Sequence, residues 1–398
     1  MKILTINAGS SSMKFSVMEI PENKELINGY FQRIGMEGSF YDVKINGEKL
    51  HRDVVLNGHL DALECVKKEL VELNVVSSLD EIDAIGHRLV HGGEKFKESV
   101  VITDEVIEEC KKFTPLAPLH NPAMLSCIEA SKEAFADKPM VAVFDTSFHQ
   151  TIPEENFLYS VPYSWYKDYG VRKYGFHGTS HKYITKTMKE ILGKDSINII
   201  NCHIGSGSSV CCIKDSKSYD TTMGFSPNAG LIMGTRSGDI DYSLIPFVMD
   251  KTGKTISEID NILNKESGLL GISEKYSDHR DIEHGMEDKD KQCILANDMC
   301  ANRIVDYIAK YYVELDGKVD ALVFTAGLGE NAREFREQIV NKLASLNIKI
   351  DAEKNMQVAS YCSIHEGIVS SPESSIPVYV VPTNEELMIA LDTYELIK

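Results

Sequence analysis

The chain is predicted to be an α/β protein built twice over, and three observations predict it. The first is a repeated device of strand, Gly/Ser turn and strand. Ile3-Leu4-Thr5-Ile6-Asn7 runs into Ala8-Gly9-Ser10-Ser11-Ser12, and Lys14-Phe15-Ser16-Val17-Met18 follows. Further on, Ile199-Ile200-Asn201-Cys202-His203 runs into Ile204-Gly205-Ser206-Gly207-Ser208-Ser209, and Val210-Cys211-Cys212-Ile213 follows. The second is a set of short apolar runs typical of buried strands, at residues 82–87, 140–144, 197–200 and 321–325. The third is helical spacing between them. Leu63, Val66, Leu70 and Leu73 share one face, as do Ile294, Met299, Ile304, Ile308 and Tyr311. Such alternation argues for an α/β class with mixed sheets. A length of 398 residues predicts two domains, and with no Pro/Ser/Gly linker the boundary is placed near residue 150.

Each turn is stripped of large side chains. Glycine lets backbone N–H groups approach a ligand closely and serine adds hydroxyl donors, so the tips suit phosphate oxygens. Taken singly, either tip reads as an ordinary hairpin turn. The serine run and the repeat point instead to a phosphate chain gripped from both sides.

Composition narrows the partners. Hydrophobic residues make up 43% and charged residues 26%, as in an ordinary globular protein. The 60 acidic against 42 basic residues give a net charge of −18, which disfavours nucleic acid and anionic membrane surfaces. An anionic substrate then needs local basic residues working against the overall field. No apolar run approaches the roughly 20 residues that span a bilayer, and no signal segment precedes the first strand, so a cytoplasmic protein is expected. The nine cysteines lack a CxxC pair and read as buried reduced thiols, with no zinc site.

Five clusters carry chemical potential. Arg88 lies in Gly86-His87-Arg88-Leu89-Val90-His91-Gly92-Gly93-Glu94, and Asp145 stands just past the apolar run 140–144. Ligands of open α/β folds sit past the carboxyl ends of strands, which favours both positions. Lys173-Tyr174-Gly175-Phe176-His177-Gly178-Thr179-Ser180-His181 is rich in glycine and histidine, and Arg236 sits in the Gly-bounded run 233–241. Phe324-Thr325-Ala326-Gly327-Leu328-Gly329-Glu330-Asn331 is a strand ending in a GxG turn, weak alone but a nucleotide platform behind two phosphate loops. Near the end, Thr383 with Glu386 fits a capping box, leaving Glu385 for other work.

From Asn7-Ala8-Gly9-Ser10-Ser11-Ser12 to Thr383-Asn384-Glu385-Glu386, these motifs together resemble the acetate kinase family along the whole chain. The resemblance implies a duplicated ribonuclease-H-like (actin/Hsp70/sugar-kinase) fold with an interdomain active-site cleft. It implies one domain of residues 1–150 plus 384–398, a nucleotide-binding domain of residues 151–383, and a homodimer. The implied reaction is Mg²⁺- (or Mn²⁺-) dependent transfer between ATP and acetate, giving acetyl phosphate and ADP.

Carried over residue by residue, Asn7, Ser10, Ser12 and Lys14 match the first phosphate loop and metal network. Arg88 and Arg236 match the arginines on the acyl substrate and the transferring phosphoryl group, and Asp145 and His177 the catalytic acid and histidine. His203, Gly205, Ser206 and Gly207 match the second phosphate loop. Asp278 and Arg280 match the adenosine loop, Gly327, Gly329, Glu330 and Asn331 the nucleotide platform, and Glu385 the Mg²⁺ glutamate. Val90, Leu119, Phe176 and Pro227 match the pocket around the acetate methyl. Three departures stand out: Ser206 replaces the usual asparagine, Tyr242 a proline, and His279 an aromatic or aliphatic residue. A propionate or other short-chain acyl kinase shares every one of these catalytic residues. A non-kinase ATPase of the same superfamily shares only the loops.

Overall fold

Ile3, Leu4 and Ile6 on one run and Met13, Phe15 and Val17 on the next are almost completely buried, so neither run can face water. They form β1 (Lys2–Ala8) and β2 (Ser12–Glu19), the centre of the first of two sheets in a computed structural model that describes residues 1–117 and 121–398. The sheet adds β3 (Lys24–Gln32), β4 (Phe40–Ile45), β5 (Glu48–Asp53), β6 (Ile82–Leu89), β7 (Val100–Val101) and β8 (Met140–Phe144). Its order is β5-β4-β3-β2-β1-β6-β8-β7. β1 is antiparallel to β2 and parallel to β6, and β6 is parallel to β8.

The second sheet contains β9 (Ile199–Ile204), β10 (Ser208–Lys214), β11 (Lys217–Thr221), β12 (Ala321–Thr325), β13 (Gly367–Ile368) and β14 (Val378–Val380), in the order β11-β10-β9-β12-β14-β13. β9 is antiparallel to β10 and parallel to β12, and β12 is parallel to β14. All six strands of the second sheet therefore repeat the order and directions of β3, β2, β1, β6, β8 and β7 in the first. The duplication read from the two hairpins is a duplication of whole sheets.

The chain divides into two compact units: Met1–Gln150 with Gly178–Ser180 and Asn384–Lys398, and Thr151–His177 with His181–Thr383. In the first, Leu63, Val66 and Leu70 of the helix His59–Glu72 share a core with Leu4, Phe15, Val17 and Ile85. The next residue, Gly86, lies on the opposite face of the pleat. There a Cβ would stand 2.4 Å from Thr393 Oγ1 and 2.7 Å from Ile389 Cγ2, so only glycine lets the helix Glu385–Ile397 seat on β6. Covering both faces explains why these strands read as unbroken apolar runs.

Two expectations are corrected. The last helix is capped by Asn384, whose side chain accepts from Leu387 N at 2.9 Å, and not by a Thr383–Glu386 box. Thr383 N donates instead to Glu330 Oε1 at 3.1 Å. In the second unit, the helix Lys291–Glu314 buries Ile304, Ile308 and Tyr311 as expected, but Ile294 and Met299 are exposed. Small residues, Cys293, Ala296 and Cys300, occupy its inner stripe, because neighbouring backbone comes too close for larger ones. A Cβ on Gly285 would meet Cys293 Sγ at 2.4 Å.

All nine cysteines are free thiols, and burial pushes those of Cys211 and Cys300 up to about 12. Among the described residues, no helix is long and apolar enough to cross a membrane.

Candidate active site

In the first unit, the carboxyl ends of β1, β6 and β8 bring three predicted residues together. Arg88 Nη2 lies 3.0 Å from Asp145 Oδ2, and Nη1 donates to Asn7 Oδ1 at 3.4 Å. Asp145 stands immediately after β8, its side chain 1% exposed. Its Oδ1 accepts from Thr179 N at 3.4 Å and its carbonyl from Gly178 N at 2.9 Å. The carboxylate thus faces the positive end of the helix Gly178–Leu192. A Cβ on Gly178 would stand 2.1 Å from the Asp145 carbonyl oxygen, so the approach requires glycine.

Glu385, the first residue of the C-terminal helix, joins this group electrostatically. Burial pushes its carboxyl up to about 7; Arg88 and then Lys14 pull against that, while Asp145 and Glu386 add to it. Burial alone would lower the Arg88 guanidinium, but Asp145 and Glu385 outweigh it and hold the charge. Lys14 is exposed on β2, in register with Asn7. Ser10 is exposed and Ser12 half-buried at a hairpin tip closed by Gly9 N donating to Ser12 O at 2.8 Å. Val90 is buried just past β6, and Leu119 lies outside the described residues.

The second unit has its own group of backbone, imidazoles and a cation. Arg236 Nη1 donates to Pro227 O at 2.7 Å, and burial lowers its pKa. Its loop is pinned to the hairpin tip by Gly234 N donating to Ser206 O at 3.1 Å. A Cβ on Gly207 would stand 3.2 Å from Arg236 Nη2 and 3.5 Å from His177 Nε2. The guanidinium and the imidazole thus converge on this glycine. His177 holds left-handed backbone at φ 57° and stacks on His203 of β9 at 4.1 Å. Such a φ is uncommon for a side-chain-bearing residue and marks positions worth functional attention. Phe176 is buried, Pro227 half-buried, and Ser206 exposed at the tip.

The predicted nucleotide residues divide. Gly327 is open, close to the tip at Gly205. Glu330 and Asn331, both half-buried, make hydrogen bonds within the unit. Glu330 Oε1 accepts from Ala326 N at 2.8 Å as well as from Thr383 N, and burial raises its pKa. Asn331 Nδ2 donates to Gly327 O at 2.9 Å, and its Oδ1 accepts from Ser360 N at 3.0 Å. Gly329 is buried beneath them. Asp278 caps the helix His279–Glu287, and Arg280 folds back on it with Nη2 at 2.6 Å, holding the carboxyl down at about 2. His279 is a core residue, its ring 4.4 Å from Phe335 and its Nε2 3.1 Å from Asn297 Oδ1.

Sequence reasoning missed the supports behind His177. Ser209 Oγ lies 2.9 Å from both His177 Nδ1 and His181 Nε2, and Asn201 Nδ2 lies 2.9 Å from His181 Nδ1. One signal was present: His177 and His181 are four apart, one helical turn. It also missed buried Asp220, which binds Lys173 and Lys310 and so fixes the segment leading to His177. Among the described residues, no group of three or more His, Cys, Asp or Glu is arranged to hold a metal.

Residues 2–391 match the model of the acetokinase family. An acetate kinase from Staphylococcus carnosus is 48% identical over 392 residues, spanning 98% of this chain and 97% of that one. The crystal structure of Porphyromonas gingivalis acetate kinase matches with a TM-score of 0.94 and 42% identity, each chain covered completely. A propionate kinase from Francisella tularensis subsp. tularensis matches at 0.93 with 40% identity over 99% of both chains. The chain is therefore a kinase, a phosphotransferase acting on a carboxyl group. It belongs to the acetokinase family.

Proposed function

We propose that this chain transfers the γ-phosphoryl group of ATP to acetate, reversibly, giving acetyl phosphate and ADP. A carboxylate oxygen of acetate attacks phosphorus in line. The bond from phosphorus to the bridging oxygen breaks, and its electron pair leaves on the β-phosphate of ADP. Acetate is ionised at neutral pH, so no base is needed to make the nucleophile. The protein's task is positioning and charge neutralisation around three equatorial oxygens.

What carries this reading is the convergence of Arg236 Nη2 and His177 Nε2 on Gly207, a cation and an imidazole aimed at one point in a chain of net charge −18. Arg236 and Arg88 are planar, permanently charged forks suited to carboxylate and phosphate. His177 donates to an equatorial oxygen as charge develops on it. Asp145, already bound to Arg88, orients rather than abstracts a proton. The hairpin tips at Ser10, Ser12 and Lys14 and at Gly205, Ser206 and Gly207 bind phosphate oxygens, with Gly327 and the Asp278–Arg280 pair toward the nucleoside. His203 supports this site by stacking on His177.

The oxygens of Asn7, Asp145 and Glu385 fit a hard cation that takes few protein ligands and keeps its waters. Bound there, Mg²⁺ would neutralise phosphate charge. A homodimer is supported by the helix Leu244–Thr252, which buries none of its apolar residues and leaves Phe247 63% exposed.

Steady-state assays with acetate, propionate and butyrate against ATP, GTP and pyrophosphate test the reading. Acetate with ATP should give the highest kcat/KM, and propionate should trail by roughly 10–200-fold, the range one methylene commands in an apolar pocket. Val90→Ala should narrow that gap through KM for the acid. The propionate kinase relative supports a second reading, and equal efficiency with the two acids would favour it.

A further inference from the structure

The His177 ring is held by a chain of buried side chains whose polarity can be followed atom by atom. Asn201 presents its amide nitrogen to His181 Nδ1 at 2.9 Å. With the amide nitrogen assigned to that side, His181 Nδ1 accepts, and the neutral ring carries its proton on Nε2. His181 Nε2 lies 2.9 Å from Ser209 Oγ and donates to it. The hydroxyl then has its own proton to give, and His177 Nδ1, also 2.9 Å away, is placed to accept it. His177 is left with its proton on Nε2, the atom that faces Gly207 beside Arg236 Nη2.

We propose that Asn201, His181 and Ser209 are positioning residues that fix the Nε2–H tautomer of His177, so that its proton points at the phosphoryl group. Asn201, His181 and Ser209 are all fully buried, so no water competes for these bonds. His181 stands on the helix Gly178–Leu192, Asn201 on β9 and Ser209 on β10, and the cross-strand register places Ser209 against His203, which stacks on the same His177 ring. The ring is thus held by its face and by one nitrogen together. A relay of this kind matters because a histidine with the wrong tautomer offers a lone pair where the transition state needs a donor.

The kinetic part rests on the acetate kinase reading, but the tautomer can be measured without it. In protein labelled with ¹⁵N-histidine at pH about 8, above the ordinary imidazole pKa of about 6.5, nitrogen shifts report which atom is protonated. The His177 signal is assigned by its loss in His177→Gln. Wild type should show a single Nε2–H form, and an Nδ1–H form or a mixture overturns the proposal. Ser209→Ala should give a mixture and lower kcat about 10–100-fold, with KM for ATP and acetate within about threefold. Ser209→Thr, which keeps the hydroxyl, should restore the single form and most of kcat. An unchanged tautomer or an unchanged kcat in Ser209→Ala overturns the proposal. The wild-type measurement decides it even if that variant fails to fold. Absence of acetate kinase activity in wild type would sink the reaction while leaving the tautomer result standing.

Discussion

The two sheets repeat one strand order, yet the groups at their strand ends differ in kind. The first unit places ions there: Arg88 at the end of β6, Asp145 after β8 and Glu385 at a helix start, with Arg88 and Asp145 pulling the Glu385 carboxyl in opposite directions. The second places Thr325 at the end of β12, the short helix Ala326–Asn331 after it, and imidazoles at the hairpin. Its one cation in the group, Arg236, leans on a carbonyl instead of a carboxylate. A duplicated scaffold therefore fixes where functional groups stand and leaves their chemistry open. The first copy depends on charge balance, the second on backbone and hydrogen-bond direction.

That contrast can be broken by removing one arginine from each copy. Arg88→Ala should abolish turnover and also cost about 3–5 kcal/mol of stability, because buried Asp145 loses its counter-charge. Urea unfolding and kcat should fall together. Arg236→Ala should lower kcat about 10²–10³-fold, the usual cost of deleting a charge-stabilising donor. Its stability should drop by no more than about 1 kcal/mol, since only a carbonyl loses its partner. Equal destabilisation by the two substitutions would show the copies to be alike after all.

A pH titration sharpens the first copy further. His87, beside Arg88 on β6, is buried with its Nε2 unpartnered, and burial pushes its pKa down to about 3. The unfolded chain takes a proton there near pH 6.5, whereas the folded one waits until about 3. Unfolding therefore takes up a proton across that window, and stability falls as the pH is lowered through it, by about 1.4 kcal/mol per unit. His87→Leu should remove this component from a series of urea midpoints. If its slope between pH 6 and 4 matched wild type, His87 would not be the group responsible. The smallest change concerns the helix that carries Glu385. Asn384→Ala should cost about 1 kcal/mol and Glu386→Ala much less, and thermal melts that reversed this order would restore the capping box.

Much of this arrangement is legible before any fold is known. The hairpins, Arg88 and Asp145 announce themselves because each sits at the edge of an apolar run that can only be a buried strand. The Thr383 box is not used because Asn384 is an equally good cap one residue on, and local chemistry cannot choose between them. Ile294 and Met299 face outward because close packing at Gly285 selects cysteine and alanine for the inner stripe, and spacing alone does not show how near a neighbour lies. Glu330 and Asn331 have the residue types of a ligand site, and the bonds they also make to Ala326, Thr383 and Ser360 join elements that no local spacing connects. Asn201, His181 and Ser209 belong to three elements, and nothing in their spacing signals that they meet.

The seat of the last helix on Gly86 has a consequence in time. Ser99 Oγ donates to Asp392 Oδ2 across 293 residues of chain, and Ile389 closes over Val141 and Val143. On the ribosome, β1 to β8 emerge first, yet one face of their sheet stays uncovered until residues 385–397 arrive. Contacts so distant in sequence form late, and an apolar sheet face left open in the meantime invites wrong partners. The unit that is synthesised first is thus the one completed last, and Glu385 reaches Arg88 and Asp145 only when that cover closes.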